Sequence, residues 1–191
     1  EGQPARALEV LAPLANEGRG EPLASALLAH VLARLDRLDD ATRLLAAAKA
    51  AHPRHIEVLL AAGDIAVLQG DARSAREAYL AVLAAQPGNV DALYGLGLIA
   101  SERERVAEAR QVLGEALAKS PGNPRVQAEL AAAETFAGNL PEGERLLAAV
   151  LEREPSNYQA LTALGLNRLK AGQARAALDD FLKAGLIQPR Y

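Results

Sequence analysis

Five prolines in this chain keep one interval: Pro53, Pro87, Pro121, Pro155 and Pro189 follow one another every 34 residues. Around three of them the neighbours repeat too, in Gln86-Pro87-Gly88-Asn89, Ser120-Pro121-Gly122-Asn123 and Glu154-Pro155-Ser156-Asn157. Proline ends a helix, the small residue permits a turn, and asparagine caps the helix that follows. A fixed interval of this size makes the chain a tandem repeat, each unit one supersecondary element that stacks on the next. A fold with a single unrepeated core would leave the interval unexplained.

Inside the unit from Ile56 to Asn89, Leu59, Ala62, Gly63 and Ala66 recur at the spacing of one helix face. Gly70-Asp71 interrupts that pattern, glycine suiting a helix end and aspartate an N-cap. Ala75, Tyr79 and Val82 then form a second stripe, stopped by Pro87. Each unit therefore reads as two antiparallel helices. They should break near Gly70, Arg105, Asn139 and Gly172 inside units, and near Pro53, Pro87, Pro121 and Pro155 between them.

The same slots hold Leu93, Leu96, Gly97, Ala109, Leu113 and Ala116, and later Leu161, Leu164-Gly165, Gly172, Ala177, Phe181 and Ala184. This pattern resembles the tetratricopeptide repeat and covers nearly the whole chain. The resemblance implies an all-α fold, a right-handed α-solenoid of stacked antiparallel helix pairs in one domain. Its N-terminal half repeat would be 1–21, in which Gly2, Ala7 and Leu11 take second-helix slots. Five full repeats would follow at 22–55, 56–89, 90–123, 124–157 and 158–191. First helices would line a concave face that holds a segment of a partner protein.

Several residues depart from the pattern. Asp36 and Glu104 stand where a turn glycine is expected, and His55 replaces the capping asparagine. Gly143 fills the slot of Ala75, Ala109 and Ala177, which should weaken its helix by up to about 1 kcal/mol. Asn139 should cap that helix, answered by Glu142 three residues on. Glu134 and Arg168 share the slot of Ala66 and Ala100, and a charge there calls for a partner, so the two are expected to pair.

Composition narrows the function classes. Half the residues are hydrophobic but only 3% are aromatic, which suits close alanine–leucine helix packing. A net charge of −3 gives no electrostatic footprint for nucleic acid or an anionic membrane, and no apolar run is long enough to insert in a bilayer. There is no cysteine, hence no disulfide framework and no thiolate metal site. The chain starts at Glu1, contains no methionine and carries 17 arginines to 4 lysines. We read it as a piece of a larger bacterial protein, with cytoplasm and periplasm both open.

A search for chemistry ends without a catalytic, cofactor-binding or metal constellation. His52 and His55 flank Pro53 in a turn and are expected to be solvated. His30 and Asp64 share a slot in adjacent units and should lie side by side, but no nucleophile accompanies them. Gly95-Leu96-Gly97 lies in a helix pattern and lacks the strand a phosphate loop requires, and Ser101-Glu102-Arg103-Glu104-Arg105 reads as a solvated helix end. The expectation is a non-enzymatic scaffold.

On the slots that the resemblance turns inward, the chain supplies Glu57, Leu60, Asp64, Val67, Asp91, Tyr94, Leu98, Glu102 and Arg125. Members of the family that clamp a carboxylate use basic residues and asparagine there, so that activity is not carried over. Acids around an apolar strip point instead to a partner segment with basic residues flanking apolar ones. Two other roles stay open: an assembly or spacer element of a secretion or polysaccharide-export machine, and the repeat region of a larger enzyme. Apolar stripes at the two ends, among them Leu8, Leu11 and Leu14, also suggest end-to-end self-association.

Overall fold

The computed structural model describes residues 2–102 and 104–187. Pro189, the last phased proline, and Arg103 of the charged run lie outside the described residues. Among the described residues the chain is all helix and turn. Helix α1 (Gly2–Ala15) leads through a short 3-10 turn (Asn16–Gly18) into α2 (Pro22–Arg34) and α3 (Leu38–Ala51). Three pairs follow: α4 (Ile56–Leu68) with α5 (Ala72–Ala85), α6 (Val90–Glu102) with α7 (Val106–Lys119), and α8 (Pro124–Ala137) with α9 (Leu140–Arg153). The last pair is α10 (Tyr158–Lys170) with α11 (Ala174–Ile187). The chain divides into two compact units, Glu1–Ile99 and Ala100–Tyr191.

One turn geometry joins the two helices of every pair. Asp36, Gly70, Glu104, Gly138 and Gly172, each 34 residues from the next, all have positive φ, between 54° and 86°. The residue after each donates its N–H to the carbonyl five residues earlier, as in Asp71 to Ala66 and Arg105 to Ala100, both at 2.9 Å. The turn therefore forms at Asp36 and Glu104 as it does at glycine, although a left-handed L-residue costs about 1–2 kcal/mol. Several helix starts are capped by a side-chain oxygen. Asp71 receives Ser74 N at 3.1 Å, Asn89 receives Ala92 N at 3.0 Å and Asn157 receives Ala160 N at 2.9 Å. His55, by contrast, makes no side-chain cap.

Unit 1 has an apolar interior. Tyr79 of α5 is 1% exposed, and its ring lies where a Cβ on Gly63 or Gly95 would stand, at 2.5 and 2.3 Å. Those two glycines are what let α4 and α6 close over the ring. Phe181 repeats the arrangement in unit 2, 2.6 Å from a Cβ placed on Gly165.

Unit 2 buries polar groups, and three expectations change there. Glu134 and Arg168 do not pair with each other. Glu134 receives Arg110 Nε of α7 at 2.8 Å and Asn139 Nδ2 at 2.9 Å. Arg168 donates to Glu144 of α9 at 3.0 Å and to Asp180 of α11 at 2.8 Å. One ion-pair partner of each lies on the preceding second helix, 24 residues earlier. Carboxylates hold both guanidiniums more firmly charged: Glu134 raises the Arg110 pKa, while burial opposes the rise at Arg168 and is outweighed by Glu144 and Asp180.

Asn139 does not cap α9 with its side chain, since the nearly buried Glu134 carboxylate takes its amide. Glu142 correspondingly turns to Arg145 at 2.5 Å. Gly143 is also more than a weak helix residue. A Cβ there would sit 2.5 Å from Asn167 Nδ2 and 2.7 Å from Thr135 Oγ1, so the glycine makes room for a buried hydrogen bond between those side chains.

Candidate functional site

In unit 1 the first helices α2, α4 and α6 carry most of the residues singled out from the sequence. Glu57, Asp64 and Asp91 are exposed, while Leu60, Val67, Tyr94 and Leu98 are half-buried. His30 and Asp64 do lie side by side, with Nε2 and Oδ2 3.7 Å apart and both side chains about half exposed. That separation is an ion-pair distance and exceeds a hydrogen bond. The residue that sequence reasoning missed is Tyr79, whose hydroxyl donates to Asp64 Oδ1 at 2.7 Å. Its core slot hid it, for nothing in the pattern says where the ring ends. The tyrosine hydroxyl thereby positions the Asp64 carboxylate from behind.

In unit 2 Glu102 and Arg125 are exposed, at the end of α6 and the start of α8. An apolar surface lies further along. Ala132, Thr135 and Phe136 of α8 and Ala163, Leu166, Leu169 and Lys170 of α10 line a groove of about 430 Å³. Phe136 is 73% exposed, and Leu166 and Leu169 are each just over half exposed. Lys170 fixes one wall. Its ammonium donates to the Thr135 carbonyl at 3.0 Å, satisfying the open end of α8, and lies 5.2 Å from the Phe136 ring centroid. Carrying the inward slots forward by 34 residues would have found these residues, because Leu166 occupies the slot of Asp64 and Leu98, and Phe136 and Lys170 that of Glu102.

The turn histidines are not simply solvated. His52 Nε2 is 3.0 Å from the Gly20 carbonyl, which makes that nitrogen the donor, and His55 Nδ1 is buried without a partner among the described residues. Among the described residues no group of three or more histidine, aspartate or glutamate side chains could hold a metal ion.

Two family models, each for the tetratricopeptide repeat, match residues 60–124 and 100–165, which together take in more than half of the chain. The chain belongs to the tetratricopeptide repeat family. No curated protein sequence matches it. Among solved structures it is similar to a tetratricopeptide repeat protein from Parabacteroides merdae ATCC 43184, at 21% identity and a TM-score of 0.78, over 99% of this chain and 75% of that one. It is also similar to MamA from Desulfovibrio magneticus RS-1, at 19% identity and a TM-score of 0.73, over 90% and 99%. A third is YrrB, a tetratricopeptide repeat protein with an unusual peptide-binding site, at 21% identity and a TM-score of 0.65, over 100% and 94%. At such identities the likeness establishes the fold, an all-α solenoid of tetratricopeptide helix pairs.

Proposed function

We propose that the first-helix faces bind a segment of a partner protein and that the chain acts as a scaffold, without chemistry of its own. The observation that carries the reading is the unit 2 groove, where one of only two phenylalanines in the chain is held outward beside Leu166 and Leu169. A large apolar side chain kept in water beside others of its kind marks an interaction surface. The peptide-binding site of YrrB, on the same fold, supports it. In unit 1 the charged residues of α4 and of α6 up to Ile99 are all acids, Glu57, Asp64 and Asp91. The segment that complements this face carries basic residues beside apolar ones, and its binding weakens as salt rises.

Site-specific photo-crosslinking tests the reading. A crosslinker at Leu166 should capture a partner protein, while one at Glu115, exposed on second helix α7, should not. Phe136→Ala should reduce the Leu166 product severalfold while the melting temperature stays within a few degrees. Equal capture at both positions, or a Leu166 product indifferent to Phe136→Ala, would overturn the groove.

A further inference from the structure

We infer that Tyr79 is a positioning residue, whose buried hydroxyl holds Asp64 so that the carboxylate reads a lysine or arginine side chain of the bound segment. The inference rests on the reading of the unit 1 first-helix face as a binding surface. It starts from packing. Because Gly63 and Gly95 leave no space beyond the ring, Tyr79 cannot swing, and its oxygen is fixed where it meets Asp64 Oδ1 at 2.7 Å. A buried tyrosine hydroxyl needs a partner, and here the partner is the half-exposed Asp64.

A surface aspartate ordinarily samples several rotamers and loses that freedom when it binds. Asp64 has already lost it. With Oδ1 held from behind, Oδ2 stays at the surface as an acceptor. The 3.7 Å between it and His30 Nε2 leaves the oxygen without a hydrogen bond from the ring. Half-buried Leu60 and Val67 of the same helix, with Leu98 in the neighbouring slot, offer apolar surface for the alkyl stem of a lysine or arginine. Exposed Glu57 and Asp91 add negative potential of the same sign. A carboxylate on the segment would meet repulsion at this point, and a cation would meet a fixed, charge-assisted acceptor.

The experiment uses a displayed library of random-sequence peptides selected against the immobilised protein and against Asp64→Asn, Asp64→Glu and Tyr79→Phe. Tyr79→Phe keeps the ring between the two glycines and removes only the hydroxyl. Peptides selected by the wild type should be enriched in apolar residues and in lysine or arginine. The basic enrichment should vanish with Asp64→Asn and fall with Tyr79→Phe and Asp64→Glu, while the apolar enrichment persists. For one selected peptide resynthesised, Asp64→Asn should weaken binding about tenfold, as expected for loss of a charged hydrogen bond of about 1.5 kcal/mol. Adding Tyr79→Phe to Asp64→Asn should weaken it no further, since the hydroxyl acts through the carboxylate. Asp64→Glu keeps the charge but moves it off the tyrosine, so its loss separates position from charge. If Tyr79→Phe unfolds in the assay, norleucine in place of the lysine of that peptide decides, and it should lose affinity with the wild type but not with Asp64→Asn. Basic enrichment indifferent to Asp64→Asn, or losses that add in the double variant, would overturn the inference alone. Failure to select any peptide would overturn the binding face together with it.

Discussion

The two units share one backbone frame and fill it differently. Among the described residues of unit 1, Ser25 is the one buried residue classed as polar, whereas unit 2 buries Gln127, Glu134, Thr135, Asn167 and Asp180. A single slot shows the contrast. Where a second helix meets the next first helix, unit 1 places Thr42 near Ala66, and these short side chains help line a cleft of about 280 Å³. The same positions in unit 2 hold Arg110 with Glu134, and then Glu144 with Arg168, the same pair with its charges exchanged. The 34-residue pattern fixes where helices turn but leaves the contents of each interface free. An apolar interface accepts any neighbour of the right size. The charged ones accept only their own, since bringing Arg110 against Arg168 would set like charges together.

The largest expected effect tests the most deeply buried charged residue among the described residues of unit 2. Asp180 is 2% exposed and receives Arg168 Nη1 at 2.8 Å. Arg168→Met should cost about 3–5 kcal/mol in chemical denaturation, because it leaves a buried carboxylate unpaired. Adding Asp180→Leu, the residue type of the matching Leu146, should recover most of that loss. Among its described residues unit 1 buries no charged side chain that could be lost in the same way. A loss below about 1 kcal/mol for Arg168→Met would mean that unit 2 is not held by charge.

Gly143→Ala follows, and here the two levels of description predict opposite signs. Helix propensity alone has alanine stabilising by up to about 1 kcal/mol. The contacts at 2.5 and 2.7 Å to Asn167 and Thr135 have it destabilising by about 1–3 kcal/mol through overpacking. Thermal unfolding of Gly143→Ala, alone and with Asn167→Ala to reopen the space, should show the single change harmful and the second change reducing the harm.

The sequence made the helix limits legible because proline, glycine and capping residues act locally, within a turn of where they stand. The pairing of His30 with Asp64 was legible for a related reason: equal slots in adjacent first helices bring side chains together. What escaped depended on how far a side chain reaches. Tyr79 crosses from a core slot to Asp64 on the first-helix surface, Arg110 comes to Glu134 from a different slot, and Asn139 turns from its cap to a carboxylate that needs a donor more. The groove at Phe136 escaped only because the inward slots were carried into unit 2 as far as Arg125.

Turn residues give a smaller effect and put the units on equal terms. Asp36 in unit 1 and Glu104 in unit 2 hold φ of 60° and 54° where the other turns have glycine. Asp36→Gly and Glu104→Gly should each stabilise by about 1 kcal/mol, the left-handed strain relieved less the extra entropy of glycine. Gly70→Ala should do the reverse by a similar amount, since its φ of 74° is strained for any side chain although nothing lies within 4 Å. Melting temperatures that failed to rise in either glycine variant would show that the acidic side chains do something at those turns beyond tolerating them.

The smallest effect lies at the start of α9, where the expected capping box gave way. The Arg145 guanidinium hydrogen-bonds Glu142 and holds its carboxyl below the ordinary value of 4.5, against a weak opposing effect of burial. A depressed folded-state pKa contributes stability that is present above the unfolded value and lost as pH falls through the folded one. Nothing should change between pH 6 and 8, a window about two units or more above that range. Because Arg145 is mostly in water and Glu142 about one-third exposed, Glu142→Gln should cost no more than about 0.5 kcal/mol at neutral pH. The difference between wild type and variant should shrink on acidification below about pH 4.5, and also in molar salt. In unit 1 Asp71, whose carboxyl is held low chiefly by hydrogen bonds from Ser74 and least by the charge of Arg73, should follow the same acid course with a weaker salt dependence, since its main partner is a neutral cap. Equal salt sensitivity of Asp71→Ala and Glu142→Gln would mean that the cap in unit 1 also works through charge.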